Sequence, residues 1–296
     1  MTRRTAWARP LLGALLAFAV LGCCGAAGAA GGAAPAPLSY RAAPVGGLLA
    51  EDPAGSGRVV AVIGELREAE DVAVVVPGSG QNRENFRGVH NGAGTARRPG
   101  TVPMADGQAL YAAMRERSPH GRVAVVVWLG YLPPQEVDAE LAGIARARHG
   151  ARELARFARE VLAEDRHTTL VCHSYGTAVC GLAARSPGVA DDVVALASPG
   201  MGVARAEEIR ARVWATRARG DWIRFVPSVR LGPVGLGGDP MAPGFGARIF
   251  SAGDITGHTD YYQPGSASLA VTAGIAAGSA PAAGGIAGGR ALLEVE

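Results

Sequence analysis

The sequence contains no lysine. All 29 of its basic residues are arginine, set against 26 acidic residues, which leaves a formal charge of only +3 over 296 residues. Basic residues form no block longer than short arginine pairs, so the concentrated basic face that nucleic-acid binding requires is absent. Missing lysine together with abundant alanine and glycine is the pattern of a GC-rich bacterial genome. Charged residues make up 19% of the chain against 48% hydrophobic, which excludes a disordered composition and leaves enough apolar material for one large domain or two small ones. A complete phosphate-binding loop is lacking at the glycine-containing stretch Val74–Gln81, which fulfils neither G-x-x-x-x-G-K-[ST] nor G-x-G-x-x-G. Metal-ligand spacings are also lacking, since Asp254, His258 and Asp260 offer one histidine and two carboxylates in no recognised ligand pattern. No metal and no other cofactor is expected.

Cysteine is scarce. Of four, Cys23 and Cys24 lie near the N-terminus, leaving Cys172 and Cys180 in the body of the chain. Cys172 should end a strand and Cys180 should sit inside the following helix, so their side chains are not expected to meet; two buried free thiols are expected.

Residues 1–37 read as an export signal. Arg3, Arg4 and Arg9 precede the apolar run Leu11–Gly22, which is too short to span a bilayer but suits a signal-peptide core, and a small-residue stretch follows. Two endings stay open. Val20-Leu21-Gly22-Cys23 resembles a lipobox, which would attach lipid to Cys23 and hold the protein at a membrane surface; cleavage after the alanine cluster would release it instead. The expected location is extracellular or at the cell surface. Residues 276–296 are Ala/Gly-rich and read as a tail, leaving 38–275 as a single domain.

Within that domain, apolar and β-branched runs recur at Arg58–Gly64, Val72–Pro77, Val123–Leu129, Thr168–Cys172, Asp192–Ala197, Arg212–Arg217 and Arg248–Ser251. Several are continuous rather than alternating, the signature of strands covered on both faces. Between them, Leu154, Phe157, Ala158, Val161 and Leu162 recur at helical spacing over Ala151–Glu164, and Asp106–Arg117 reads similarly. Alternating strands and helices predict an α/β fold, a mostly parallel central sheet with helices on both faces. Ligands of such sheets bind beyond the carboxyl ends of the strands.

One strand end stands out. Val171-Cys172-His173-Ser174-Tyr175-Gly176 nearly spells Gly-x-Ser-x-Gly, the strand–turn–helix nucleophile elbow, with Cys172 in place of the first glycine. A serine hydroxyl needs an adjacent base, itself oriented by a carboxylate. The only histidine after Ser174 is His258, and Asp221 follows the Arg212–Arg217 run, giving the chain order serine, acid, histidine. Asp239 and Asp254 are rival acids. His173 adjoins the serine and is expected to pack or to hydrogen-bond rather than act as the base. For a developing oxyanion, the backbone N–H of Tyr175 is one candidate donor; the loop Pro77-Gly78-Ser79-Gly80-Gln81 should supply the second, with Ser79 preferred and Gly80 the alternative. The stretch Leu231–Gly246 is expected to border a pocket or act as a lid.

These pieces together resemble the α/β-hydrolase superfamily, and most closely a family of exported bacterial α/β hydrolases carried as a domain of unknown function. The resemblance rests on Val127–Pro134, Leu170–Gly176, Val194–Gly200 and Gly257–Tyr262, and covers most of residues 70–266. It implies the α/β-hydrolase fold and Ser174, Asp221 and His258 as a triad. The family usually has glycine where this chain has Cys172. The expected activity is that of a serine hydrolase cleaving a small-molecule ester through an acyl-enzyme. A non-catalytic envelope binding protein and an acyltransferase with the same triad are the alternatives.

Overall fold

The computed structural model of the chain describes residues 36–41, 45–52, 57–88, 102–135, 139–162, 165–228, 232 and 234–279. All but the last two residues of the expected signal segment, Cys23 included, and nearly all of the tail lie outside the described residues.

Eight strands form one sheet: β1 (Val45–Glu51), β2 (Val59–Glu65), β3 (Asp71–Val76), β4 (Val123–Leu129), β5 (His167–His173), β6 (Asp192–Leu196), β7 (Arg212–Thr216) and β8 (Arg248–Ile249). Their spatial order is β1-β2-β4-β3-β5-β6-β7-β8. β1 and β2 pair antiparallel, as do β2 and β4, and every later pairing is parallel. All seven strands expected from the apolar runs are present. β4 is buried along its whole length, as a strand covered on both faces must be.

The helices are α1 (Pro103–Arg117), the single turn α2 (Ala139–Ala142), α3 (Ala145–Val161), α4 (Gly176–Ala183) and α5 (Ala267–Ala276). Handedness distributes them. The chain steps from β3 to β4 in one direction through α1, then back across β3 to β5 through α3, so right-handed crossovers put α1 and α3 on opposite faces. α4 continues in the direction of α3 and packs against it, while α5 packs against α1. The core between these layers is rich in valine and alanine from the strands, with Trp128, Tyr131, Phe157 and Trp214 filling its larger spaces.

Leu231–Gly246 is pinned where it is described rather than loose. Gly202 N donates to Leu236 O (2.6 Å), Gly238 N to Val203 O (2.7 Å) and Gly235 N to Ala142 O (2.7 Å).

Candidate active site

Ser174 stands between the end of β5 and the start of α4 with a backbone φ of 51°. That left-handed conformation costs a residue with a β-carbon on the order of 1–2 kcal/mol, so its surroundings must hold it. Ser174 N donates to Leu196 O of the neighbouring strand (2.9 Å). Its carbonyl accepts from Thr177 N (3.0 Å) and from the Thr177 hydroxyl (2.7 Å). Thr177 Oγ1 also pairs with Ser198 Oγ (2.8 Å), which accepts from Gly200 N (3.0 Å); a buried hydroxyl network thus braces the turn from below. Two glycines permit the close approach. A β-carbon on Gly176 would lie 2.5 Å from Val76 O, and one on Gly78 would lie 2.8 Å from Ser174 Cβ.

The first glycine position of the elbow shows something the sequence did not lead us to expect. Cys172 and Cys180 form a disulfide, with Cα atoms 6.6 Å apart, so the expectation of two free thiols is corrected. Cys172 lies near the end of β5 and Cys180 inside α4, as expected. The turn at Ser174 is so tight, however, that the second turn of α4 folds back over the last residues of β5 and brings position 180 onto position 172. The bond spans the elbow. Closing a loop of eight residues removes unfolded-chain entropy worth about 2 to 3 kcal/mol. The double variant Cys172→Ala/Cys180→Ala is therefore expected to lose about that much stability in urea unfolding. A midpoint equal to that of the oxidised wild type would show the bond to be neutral.

The three residues expected to act together do meet. Ser174 Oγ lies 2.9 Å from His258 Nε2, and His258 Nδ1 lies 2.8 Å from Asp221 Oδ1. Because a carboxylate can only accept, Nδ1 carries the proton and Nε2 is left to accept from the serine hydroxyl. Asp221 follows β7 and is fully buried. It caps the 3-10 turn Trp222–Phe225 by accepting from Ile223 N (2.9 Å), and its Oδ2 accepts from the Tyr261 hydroxyl (2.6 Å). Burial alone would raise its pKa. Hydrogen bonds and charge from His258, with those from Tyr261 and Ile223 N, outweigh that and lower it, so the carboxylate stays ionised.

Tyr261, within the Gly257–Tyr262 stretch, holds the acid from its other side. Its hydroxyl accepts from Ala218 N (2.9 Å) while donating to Asp221, which fixes the second carboxylate oxygen. Burial and the neighbouring carboxylate push its own ionisation well above the usual tyrosine range, so it remains a donor. Its spacing of three residues from the histidine was the only available signal. His173 lies beside the triad without joining it: its Nε2 donates to His258 O (2.7 Å), and its ring is 4.9 Å from the His258 ring. Burial, then repulsion from His258, lowers its pKa to about 3, so it stays neutral and steadies the loop that carries His258.

The rival acids are elsewhere. Asp239 is paired with Arg217 (2.5 Å), and Asp254 is exposed in the loop before His258. Asp260 accepts from Gly257 N (2.7 Å) and shapes the turn that carries His258. Of the two candidates in the loop after β3, the Gly80 N–H already donates to Pro134 O (2.8 Å). That loop is held by the buried Tyr131 hydroxyl, which donates to Pro77 O (2.7 Å), and by Asn85 Nδ2, which donates to Gly80 O (2.8 Å). The Tyr175 side chain is buried beneath α3, its hydroxyl donating to Gly143 O (2.8 Å). The Gly78 Cα faces the Tyr175 amide, since a β-carbon there would lie 3.3 Å from that nitrogen. A cavity of about 820 Å³ opens beside the same loop, lined by Gln81, Arg83, Tyr131, Leu132, Pro133 and Arg146 among others.

The strand order, the parallel body of the sheet and a strained serine between β5 and α4 define an α/β hydrolase. Comparison with known proteins agrees: a family model described as alpha/beta hydrolase matches residues 52–231, and the chain belongs to that family. The match includes Ser174 and Asp221; His258 lies beyond it. Uncharacterized protein Rv2079 of Mycobacterium tuberculosis (strain H37Rv) is 28% identical over 269 residues, covering 78% of this chain and 39% of its own length. The chain thus spans about two fifths of the curated relatives it matches. Among solved structures it is similar to a carboxylesterase from Mesorhizobium loti, at 15% identity and a TM-score of 0.45, over 79% of this chain and all of that one. A dienelactone hydrolase from Anabaena variabilis is similar at 11% identity and a TM-score of 0.41, over 82% and 97% of the two chains.

Proposed function

We propose that this α/β hydrolase is an exported serine esterase working through an acyl-enzyme. The observation that carries the reading is the unbroken relay from Ser174 Oγ through His258 to Asp221, closed by Tyr261. His258 Nε2 takes the hydroxyl proton as Ser174 Oγ bonds to the ester carbonyl carbon. The carbonyl oxygen becomes an oxyanion, received by the backbone N–H groups of Tyr175 and Ser79. His258 then returns the proton to the departing alcohol as the carbon–oxygen bond breaks, leaving an acyl group on Ser174. Water, deprotonated by the same nitrogen, attacks that acyl carbon; the proton goes back to Ser174 and the acid leaves. Asp221 holds the tautomer and stabilises the imidazolium.

Export is part of the same proposal. A disulfide that persists in the native state fits an oxidising compartment, which supports residues 1–37 as an export signal, with lipid on Cys23 as one ending. A fluorophosphonate probe tests the chemistry: the full-length protein is expected to take up one probe, on Ser174. Failure to label a folded sample would contradict the reading.

A further inference from the structure

Among the described residues, three large apolar side chains are exposed: Trp222, Phe225 and Val234. Two of them stand on the 3-10 turn directly after Asp221. That turn is well anchored. Asp221 caps it, Ile223 is buried beneath it, and Arg224 Nη1 donates to Arg219 O (2.9 Å). In a 3-10 turn residues three apart lie one above the other, so Trp222 and Phe225 share a side. A rigid turn that holds a 52% exposed indole and a 75% exposed phenyl ring in water is the kind of patch that marks a contact surface.

Its position says what the contact is. The indole ring lies 4.7 Å from the His258 imidazole, at an interplanar angle of 43°. The imidazole has the His173 ring as its other aromatic neighbour, at 4.9 Å. His173 is tied to the His258 carbonyl, whereas Trp222 is half open to solvent. In the proposed reaction His258 Nε2 must hand its proton to the departing alcohol, so the alcohol oxygen has to come within about 3 Å of that nitrogen. The carbon chain attached to that oxygen then has the indole beside it.

We propose that Trp222, with Phe225 one turn above it, forms the subsite for the alcohol half of the substrate, and that the enzyme favours esters of aromatic alcohols over those of small aliphatic ones. This rests on the serine-esterase reading above. Trp222 acts here as a specificity determinant through ring-on-ring contact and removal of apolar surface from water.

The test compares benzyl acetate with ethyl acetate, which share an acyl group and differ in the group placed against the indole. Wild type is expected to favour the benzyl ester. In Trp222→Ala the ratio of benzyl to ethyl kcat/KM should fall about tenfold, mainly through KM, the worth of one aromatic contact. Trp222→Phe should restore most of the ratio. Equal losses on both esters through kcat would mean that Trp222 only steadies His258, and an unchanged ratio would mean that the alcohol lies elsewhere; either overturns the subsite. Fluorophosphonate labelling separates the two levels. A protein that labels at Ser174 but shows an unchanged ratio defeats the subsite alone, and one that does not label defeats the esterase reading as well.

Discussion

Ser174→Ala is expected to lower kcat/KM for p-nitrophenyl acetate by about 10³-fold or more, while the protein remains folded. The loss is large because no neighbouring group can replace the hydroxyl: His173 Nε2 is committed to a carbonyl, and Thr177 Oγ1 to the network beneath the turn. Stability should change little, since alanine bears the same β-carbon in the left-handed conformation and only one hydrogen bond, worth about 1 kcal/mol, is removed. His258→Ala should cost a similar factor, and the double variant little more than either single one, because members of a relay fail together. Additive losses would indicate that the two residues act independently.

Asp192→Ala is expected to do the opposite, costing about 3 kcal/mol of stability or more with little direct effect on the chemistry. Asp192 opens β6, at the end of the sheet away from Ser174, and is fully buried. Its Oδ1 accepts from Arg212 Nε (2.8 Å) and Trp214 Nε1 (2.7 Å); its Oδ2 accepts from Arg212 Nη2 (2.6 Å) and His167 Nε2 (2.8 Å). His167 Nδ1 lies 3.0 Å from Asp71 Oδ1, so both ring nitrogens face carboxylates. Removing Asp192 strands the indole N–H and part of two cations. The lower end of the usual range for a broken buried pair applies because Arg212 is half exposed and can turn to water. The same cluster sets a pH dependence. Hydrogen bonds that His167 donates to Asp192 and Asp71 raise its pKa to about 9, so its contribution is complete below about 6.5 and is lost as pH rises through 9. Burial pushes the Asp192 carboxyl up, but its donors outweigh that and lower it to about 2, so its contribution is present above about 3.8 and lost as pH falls through 2. Urea midpoints should therefore decline between pH 7 and 9.5 in wild type and decline less in His167→Gln. Equal slopes would separate His167 from stability.

The parts of the fold that the sequence made legible were those written in continuous apolar runs. β1 carries no such run: Gly46 and Gly47 interrupt it, both with positive φ, and its pairing with β2 is bulged there. The helix expected from Ala151 begins at Ala145. Gly150 lies inside that helix as a contact: a β-carbon there would lie 3.0 Å from the Tyr131 ring. The order serine, acid, histidine could be read because each residue follows a strand. The disulfide, the Tyr261 bond to Asp221 and the Trp222 ring contact with His258 could not, since each depends on how segments cross in space.

The central claim is that a covalent acyl group passes through Ser174. Mixing the full-length protein with p-nitrophenyl acetate, quenching with acid within the first turnover and mapping the digested peptides by mass tests it directly. An acetyl group on the peptide that contains Ser174, absent in Ser174→Ala, is the expected result. Nitrophenolate release with no acetyl group on that serine would contradict the account.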